Sequence, residues 1–329
     1  MGIALALTIQ RDLDALRTGI ERWLDRSVGT LRRAAPGYSC ETIVVDDEIV
    51  VRLPPAGDGI FPGYHLAQQG AVQDAAGQAG VPVAGPCRVE SDESFLGATF
   101  VAMPFIDGAI PGELTAADPW LLALDDDGQR RTVWEGFIDV LATIHRTPTT
   151  GLELRDGLTA EVDWWDDYAQ WSADGAPPAA LVEVLAWCRS NQPTTVPPGG
   201  LLWGDVRYGN VIFDRSSLRP AAVLDWDMAS VGPFELDLAW VLALDGVQAQ
   251  FVSSPLPGFG DREAAIARCA SNLGRTLHDL RWYEVFALVR ASAIATRISV
   301  LQTRAGQRPM FAPGGDPTLD AARRTIERL

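Results

Sequence analysis

The chain contains no lysine: all 27 basic residues among its 329 positions are arginine. That absence removes two chemistries at once. A Walker A loop needs its Lys on the nucleotide phosphates, and a Schiff-base enzyme needs a Lys amine. Cysteine is sparse and scattered. Cys40, Cys87, Cys188 and Cys269 form no C-x-x-C pair, so neither a zinc site nor a disulfide framework is expected. His65, His145 and His278 are isolated, with no H-x-x-x-H. No apolar run approaches the roughly 18 residues of a membrane span. The apolar stretch Ile3–Ile9 is short and lacks a basic start, so it is not read as a signal peptide, and a cytoplasmic location is expected. Positive charge is also in deficit: 27 basic against 43 acidic residues leave a net charge of −16. Nucleic-acid binding needs a basic footprint and is not expected. The acidity is compatible with cationic ligands and equally with a role in solubility.

What is present is ordinary for a folded protein: 47% hydrophobic and 21% charged residues. The length allows a large core and favours two lobes. Apolar spacing predicts helices over 11–31, 65–79, 131–146, 181–188, 235–244, 280–301 and 320–329. Thr42–Val45 and Ile49–Leu53 flank Asp46-Asp47-Glu48 as a hairpin, and 98–103 reads as a further strand. The stretch 162–171 holds three Trp, one Tyr and three Asp. It reads either as the lining of an acceptor pocket or, preferably, as the buried face of a helix with an acidic outer side.

The chemistry concentrates in Leu201-Leu202-Trp203-Gly204-Asp205-Val206-Arg207-Tyr208-Gly209-Asn210, followed by the apolar runs Val211–Phe213 and Ala222–Leu224 and then Asp225-Trp226-Asp227. Turn formers between Asp214 and Pro220 make the two runs a hairpin. Asp205 and Asn210 sit in a glycine-containing loop just before it, and Asp225 follows its second strand. This set suits phosphoryl transfer, which needs a carboxylate to orient an attacking hydroxyl and take its proton, and hard oxygen ligands for magnesium on the nucleotide phosphates. Asp205 is the expected base, with Asn210 and Asp225 as metal ligands. The competing reading is that Asp205 and Asn210 only cap turns.

The pattern resembles the catalytic core of the aminoglycoside-phosphotransferase-like family of small-molecule kinases. That family tends to read H-G-D-x-x-x-x-N, then I-D-W, then D-L-A. Here the elements are Trp203-Gly204-Asp205 with Asn210, Leu224-Asp225-Trp226, and Asp237-Leu238-Ala239. The Trp in place of the leading His resembles a branch that includes aminoglycoside-type members and kinase domains for hydroxyacyl-CoA related to domains fused to acyl-CoA dehydrogenases. The resemblance implies an α+β, protein-kinase-like fold, with a small β-rich nucleotide-binding lobe over 1–104 and a larger, mainly helical catalytic and acceptor-binding lobe over 105–329. It implies ATP, with GTP open, and Mg2+. Nucleotide contacts would come from the Gly37–Ser39 turn, from Arg52 in the place of the usual strand Lys, and from backbone at the Met103–Phe105 hinge. Gln69, or Gln68, would stand where a helix Glu normally pairs with that Lys. Asp237 would brace the catalytic loop. Asp227 is open between a role at the metal or substrate and a surface role. The partner implied is a small molecule offering a hydroxyl, an aminoglycoside-like antibiotic or a hydroxyacyl-CoA, with no membrane partner; Arg130-Arg131 and Arg323-Arg324 are the basic pairs open to an anionic acceptor. The altered Arg52–Gln69 pair motivates an alternative, a pseudokinase-like nucleotide-binding or regulatory module. Nothing in the chain specifies an oligomeric state.

Overall fold

The computed structural model describes residues 10–34, 39–252, 254–312 and 314–328. Helix α1 (Leu13–Leu24) starts where Asp12 accepts hydrogen bonds from the N–H groups of Asp14 and Ala15, and ends at Asp25 in the left-handed region. It stops well short of residue 31. Strands β1 (Leu31–Arg33), β2 (Glu41–Val45), β3 (Ile49–Leu53), β4 (Arg88–Glu90) and β5 (Phe100–Pro104) form one antiparallel sheet in the order β1-β2-β3-β5-β4. Asp46 and Asp47 turn the predicted hairpin with positive φ, which a short polar side chain tolerates.

Side-chain alternation along these strands sorts the sheet into two faces. Ile43, Val45, Val51 and Leu53 meet Leu16, Ile20 and Trp23 of α1 in one apolar cluster. Val101, Met103 and the partly exposed Val50 face the other way, toward Leu66 of α2 (Leu66–Gln78) and toward Ile212 and Leu224. Arg52 lies between Val51 and Leu53 in sequence, so it too points away from α1, into the cleft.

The rest of the chain is mainly helical. After the short α3 (Pro119–Leu122) come α4 (Asp127–His145), α5 (Leu158–Ser172) and α6 (Ala179–Ser190), then α7 (Glu235–Gln248), α8 (Arg262–Leu273), α9 (Arg281–Arg304) and α10 (Pro317–Ile326). Helix α9 packs against α5, α6, α7 and α10. Burial on several sides explains why its apolar residues run almost all the way round rather than in one stripe. Between α6 and α7 lie two small antiparallel pairs, β6 (Gly200–Leu202) with β9 (Ser230–Gly232) and β7 (Val211–Phe213) with β8 (Pro220–Val223). The β7–β8 hairpin is the predicted one; β9 and α8 were not anticipated. Among the described residues no helix is long and apolar enough to cross a membrane.

Candidate active site

The loop between β6 and β7 is pinned from several sides. Asp237, in the first turn of α7, accepts from the backbone N–H groups of Trp203 and Gly204 at 2.8 and 2.9 Å, as expected for a bracing residue. Burial pushes its carboxyl up to about 6, against the pull of those two donors. Gly204 has φ +88°, and a Cβ there would lie 2.3 Å from the Met228 carbonyl oxygen, so no other residue fits without displacement. Tyr208 anchors the far end by stacking on Phe137 of α4, with ring centroids 3.9 Å apart.

These restraints deliver Asp205 in one orientation. Both Arg207 Nε and Asn210 Nδ2 donate to its Oδ2, each at 2.8 Å. Asn210 Nδ2 also reaches the Asp205 carbonyl at 3.1 Å. Among the described residues no donor engages Asp205 Oδ1. The Asn210 amide, with its nitrogen spent on Asp205, keeps its oxygen for another partner.

Asp225 is brought to the same place by backbone. Leu224 N–H donates to the Asn210 carbonyl at 2.8 Å, and the Trp203 indole N–H is shared between the carbonyls of Leu224 and Asp225 at 2.9 and 3.0 Å. Asp225 itself has φ +62°, a conformation that costs a non-glycine residue energy and persists only where its surroundings impose it. Arg52 Nη2 bridges Asp225 and Asp227, at 3.5 and 3.4 Å. Burial opposes the charge on Asp225, but Arg52 and its neighbours outweigh this and hold its carboxyl below the ordinary range. Burial and the adjacent Asp225 push Asp227 the other way, upward. Two carboxylates sharing one guanidinium have hard oxygens to spare for a cation.

Asp227 is therefore no surface residue. Its side chain is 5% exposed and also accepts from Gln69 Nε2. Here the expected pairing is corrected. Among the described hydrogen bonds none joins Gln69 to Arg52; the two meet on Asp227 instead. The Gln68 side chain is directed elsewhere, to the Glu153 carbonyl. A neutral amide in the place of the usual Glu cannot form an ion pair with Arg52, and the second Asp takes over that charge.

On the nucleotide side, Ser39 is buried beside Asp205, Asp225 and Asp227 on the wall of one cavity. Gly37 lies outside the described residues. Met103 is buried in the apolar cluster that includes Ile212 and, partly exposed, Cys40, Val50, Ile106 and Leu224. The Phe105 N–H is already spent on the Glu48 carbonyl at 2.8 Å, which leaves Phe105 only its own carbonyl to offer a ligand.

The aromatic stretch 162–171 does not line the cavity at Asp205. It lies within α5, where Trp165, Tyr168 and Val162 are core residues. Its rings instead carry guanidinium groups: Arg290 lies 5.0 Å from the Trp165 centroid and Arg297 4.2 Å from that of Trp171. Arg290 was missed in the sequence because its neighbours on α9 read as core. It is 2% exposed, also lies over Trp240, and donates to the Gly204 carbonyl at 3.0 Å. Arg207 was given no role in the sequence, although its place two residues after Asp205 could have signalled one; its second partner, Glu113, is 94 residues away in sequence. His145 lies at the end of α4, but burial lowers its pKa, so a charged interaction with the helix dipole is disfavoured.

Residues 30–281 match the model of the phosphotransferase enzyme family, and they include every site residue named above except Arg290 and Arg297. The chain belongs to the phosphotransferase enzyme family. By family a phosphotransferase, it shares its α+β, two-lobed fold with solved phosphotransferases. A Ralstonia eutropha protein described as a candidate aminoglycoside phosphotransferase superposes with a TM-score of 0.66 at 18% identity, over 97% of this chain and 96% of that one. The GDP and kanamycin complex of the aminoglycoside phosphotransferase APH(2")-IIIa gives 0.56 at 14% identity, over 96% and 97%. Sequence relatives carry different names. Human acyl-CoA dehydrogenase family member 11 is 29% identical over 196 residues, 58% of this phosphotransferase and 24% of the human protein. Mouse family member 10 is 23% identical over 282 residues, 80% and 25%. The matched region thus spans about a quarter of those relatives.

Proposed function

We propose that this phosphotransferase moves the γ-phosphoryl group of ATP to a hydroxyl of a small molecule, in a magnesium-dependent reaction. The observation that carries the reading is the orientation of Asp205. One carboxylate oxygen is held by Arg207 and Asn210, and the other is left for a substrate hydroxyl. The acceptor oxygen forms a bond to the γ-phosphorus, and the bond from that phosphorus to the β–γ bridging oxygen breaks, its electron pair leaving with ADP. The acceptor proton passes to Asp205 Oδ1. Holding the hydroxyl in line is the larger service of Asp205, because phosphoryl transfer is mostly positioning and charge stabilisation.

The donor set fits magnesium. Among the described residues no group of three or more His, Cys, Asp and Glu is placed to hold a metal. Magnesium does not require one: it is usually bound through one or two carboxylates and substrate phosphates, keeping several waters. Asp225 and the Asn210 amide oxygen would hold it, with Asp227 close by, and it would supply charge neutralisation on the phosphates. Arg52 would add a fixed positive charge next to the phosphates, where lysine is absent. The apolar side chains of Val50, Cys40, Ile212 and Leu224, which cluster together, would receive the base. We place the lobe boundary at residues 104–105, the end of β5.

The competing idea, a binding module without turnover, is separated by two variants. Asp205→Asn should keep nucleotide-dependent thermal stabilisation and lose turnover. Asp225→Asn should lose the magnesium-dependent part of that stabilisation. A wild-type protein that shows no response to Mg·ATP contradicts the proposal.

A further inference from the structure

A second cavity, of about 490 Å3, is ligand-sized and separate from the one at Asp205. None of Asp205, Asn210, Asp225 and Asp227 lines it. It meets the catalytic loop at Tyr208, and Gln248 borders both cavities. Trp134 and Ile138 of α4, Val241 of α7, and Leu256 and Phe259 of the loop before α8 make much of its wall apolar or aromatic. That loop is held against α4. The Arg130 guanidinium donates to the Pro257 carbonyl at 2.9 Å, and a Cβ on Gly260 would lie 2.4 Å from the Trp134 ring.

The charged side chains on the wall are Asp245, Asp261 and Arg262. Asp261 caps α8, and Arg262 pairs with Glu284. Asp245 has neither a cation nor a hydrogen-bond donor on its carboxylate among the described residues. It stands four residues after Val241 and three before Gln248, on the face of α7 that borders the cavity. The helix ends at Gln248 with no basic residue in its last turn, so the negative end of its dipole disfavours a carboxylate there. Asp245 keeps access to solvent, yet the protein around it pushes its carboxyl up to about 7. Tyr208 is 6% exposed. Its hydroxyl has no partner among the described residues, and it is not sealed from solvent as the Tyr283 hydroxyl is. Burial and the Asp245 charge keep it protonated.

We propose that this cavity binds a small organic monocation, a primary ammonium on an apolar or aromatic body, apart from the site of phosphoryl transfer. The ammonium donates to the Asp245 carboxylate and to the Tyr208 hydroxyl oxygen, and the body lies among Trp134, Val241 and Phe259. The cation supplies the counter-charge that Asp245 lacks, and aromatic rings on the wall favour it further. A net charge of −16 draws such ligands to the protein. One unpaired carboxylate matches one ammonium, not several. An anion would meet Asp245 with like charge, and a neutral body would leave it unpaired. The inference stands whether or not the chain transfers phosphate. Tyr208, three residues after Asp205 and two before Asn210, is where the catalytic loop would feel occupancy.

The test uses 2-phenylethylamine, which carries no hydroxyl to phosphorylate, with neutral phenylacetamide and anionic phenylacetate as comparators. Binding is measured by calorimetry at about pH 8, where Asp245 carries its charge, with Mg2+ and a non-hydrolysable ATP analogue present and absent. The amine is expected to bind at least about tenfold more tightly than the amide, phenylacetate more weakly still, and the nucleotide analogue is expected not to displace it. Asp245→Asn, with folding checked by circular dichroism, weakens the amine about tenfold and leaves the amide unchanged. Tyr208→Phe weakens the amine about threefold, and Asp205→Asn binds it as wild type does. Absence of amine binding up to about 10 mM overturns the proposal. So does equal binding of amine and amide, or an Asp245→Asn variant that binds the amine as wild type does. Displacement by the nucleotide analogue, or loss of binding in Asp205→Asn, would put the amine in the catalytic cavity and also overturn it.

Discussion

The indole N–H of Trp203 donates to the main-chain carbonyl of Asp225 at 3.0 Å, and to that of Leu224 at 2.9 Å. A residue two positions before Asp205 in the catalytic loop thus fixes the backbone of the proposed metal ligand on the neighbouring strand end. Trp203→Phe keeps most of the apolar volume and removes the donor. Two carbonyls lose their shared partner, at a cost of about 1–3 kcal/mol in stability. Turnover should fall more than nucleotide affinity, because the relation between Asp205 and Asp225 is what loosens. Chemical denaturation and steady-state kinetics on the same variant check both halves. A fall in stability with turnover intact would make Trp203 a packing residue only.

Arg207 and Asn210 both donate to Asp205 Oδ2, so the carboxylate orientation depends on two donors. Arg207→Met should leave one and free the carboxylate to rotate. Displacement on the order of 1 Å can cost about 100-fold in rate, so the expected signature is a kcat loss of roughly that size with the ATP KM changed little. An equal loss in both constants would instead place Arg207 on the nucleotide.

Asp237 makes stability depend on pH with a definite sign. Its carboxyl is raised to about 6 in the folded protein from 3.8. Between those values the folded state binds more protons than the unfolded one, so stability falls as pH rises through the window and is flat above it. Asp237→Asn removes that titration. The stability difference, wild type minus variant, should therefore shrink by about 2 kcal/mol between pH 4 and pH 6.5. Urea midpoints at the two pH values measure it, and a difference that grows with pH would contradict the assignment.

Arg290 holds the Gly204 carbonyl from inside the core, stacked on Trp165 and Trp240. Arg290→Ala should leave a cavity and an unpaired carbonyl, at a cost of about 3–5 kcal/mol. Arg290→Met fills most of the volume and should recover much of the stability while turnover stays low, since the carbonyl remains without its donor. Recovery of both would remove Arg290 from the support of the loop.

Several of these relationships were legible before any coordinates. The hairpin after Asn210 and the helix carrying Gln69 follow from local pattern: turn residues, alternation and apolar spacing; the bracing role of Asp237 was implied by the family resemblance alone. Asp205, Asn210 and Asp225, the proposed catalytic and metal-binding residues, were legible as a group because they lie within about 20 residues of one another. What was not legible is long-range. Glu113 reaches Arg207 from a distant loop, Gln69 pairs with Asp227 rather than with Arg52, and the apolar end of the cavity at Asp205 comes from α9, more than 80 residues after Asp205. Arg290 hid because a charged residue on a buried helix face looks like an irregularity in an apolar pattern until the aromatic rings that carry it are seen. The left-handed backbone of Asp225 has no sequence signature, since glycine, the usual marker, is absent there. The aromatic stretch 162–171 is the buried helix face that the sequence favoured, not the acceptor-pocket lining that was its alternative.

The most direct test of the account is a side-by-side measurement on wild type and Asp205→Asn: transfer of labelled γ-phosphate from ATP to a small-molecule alcohol that the wild type phosphorylates, with ATP affinity determined in parallel. The account predicts that the variant loses about 100- to 10,000-fold in turnover while binding Mg·ATP within about threefold of wild type. Equal turnover in the two proteins would contradict it.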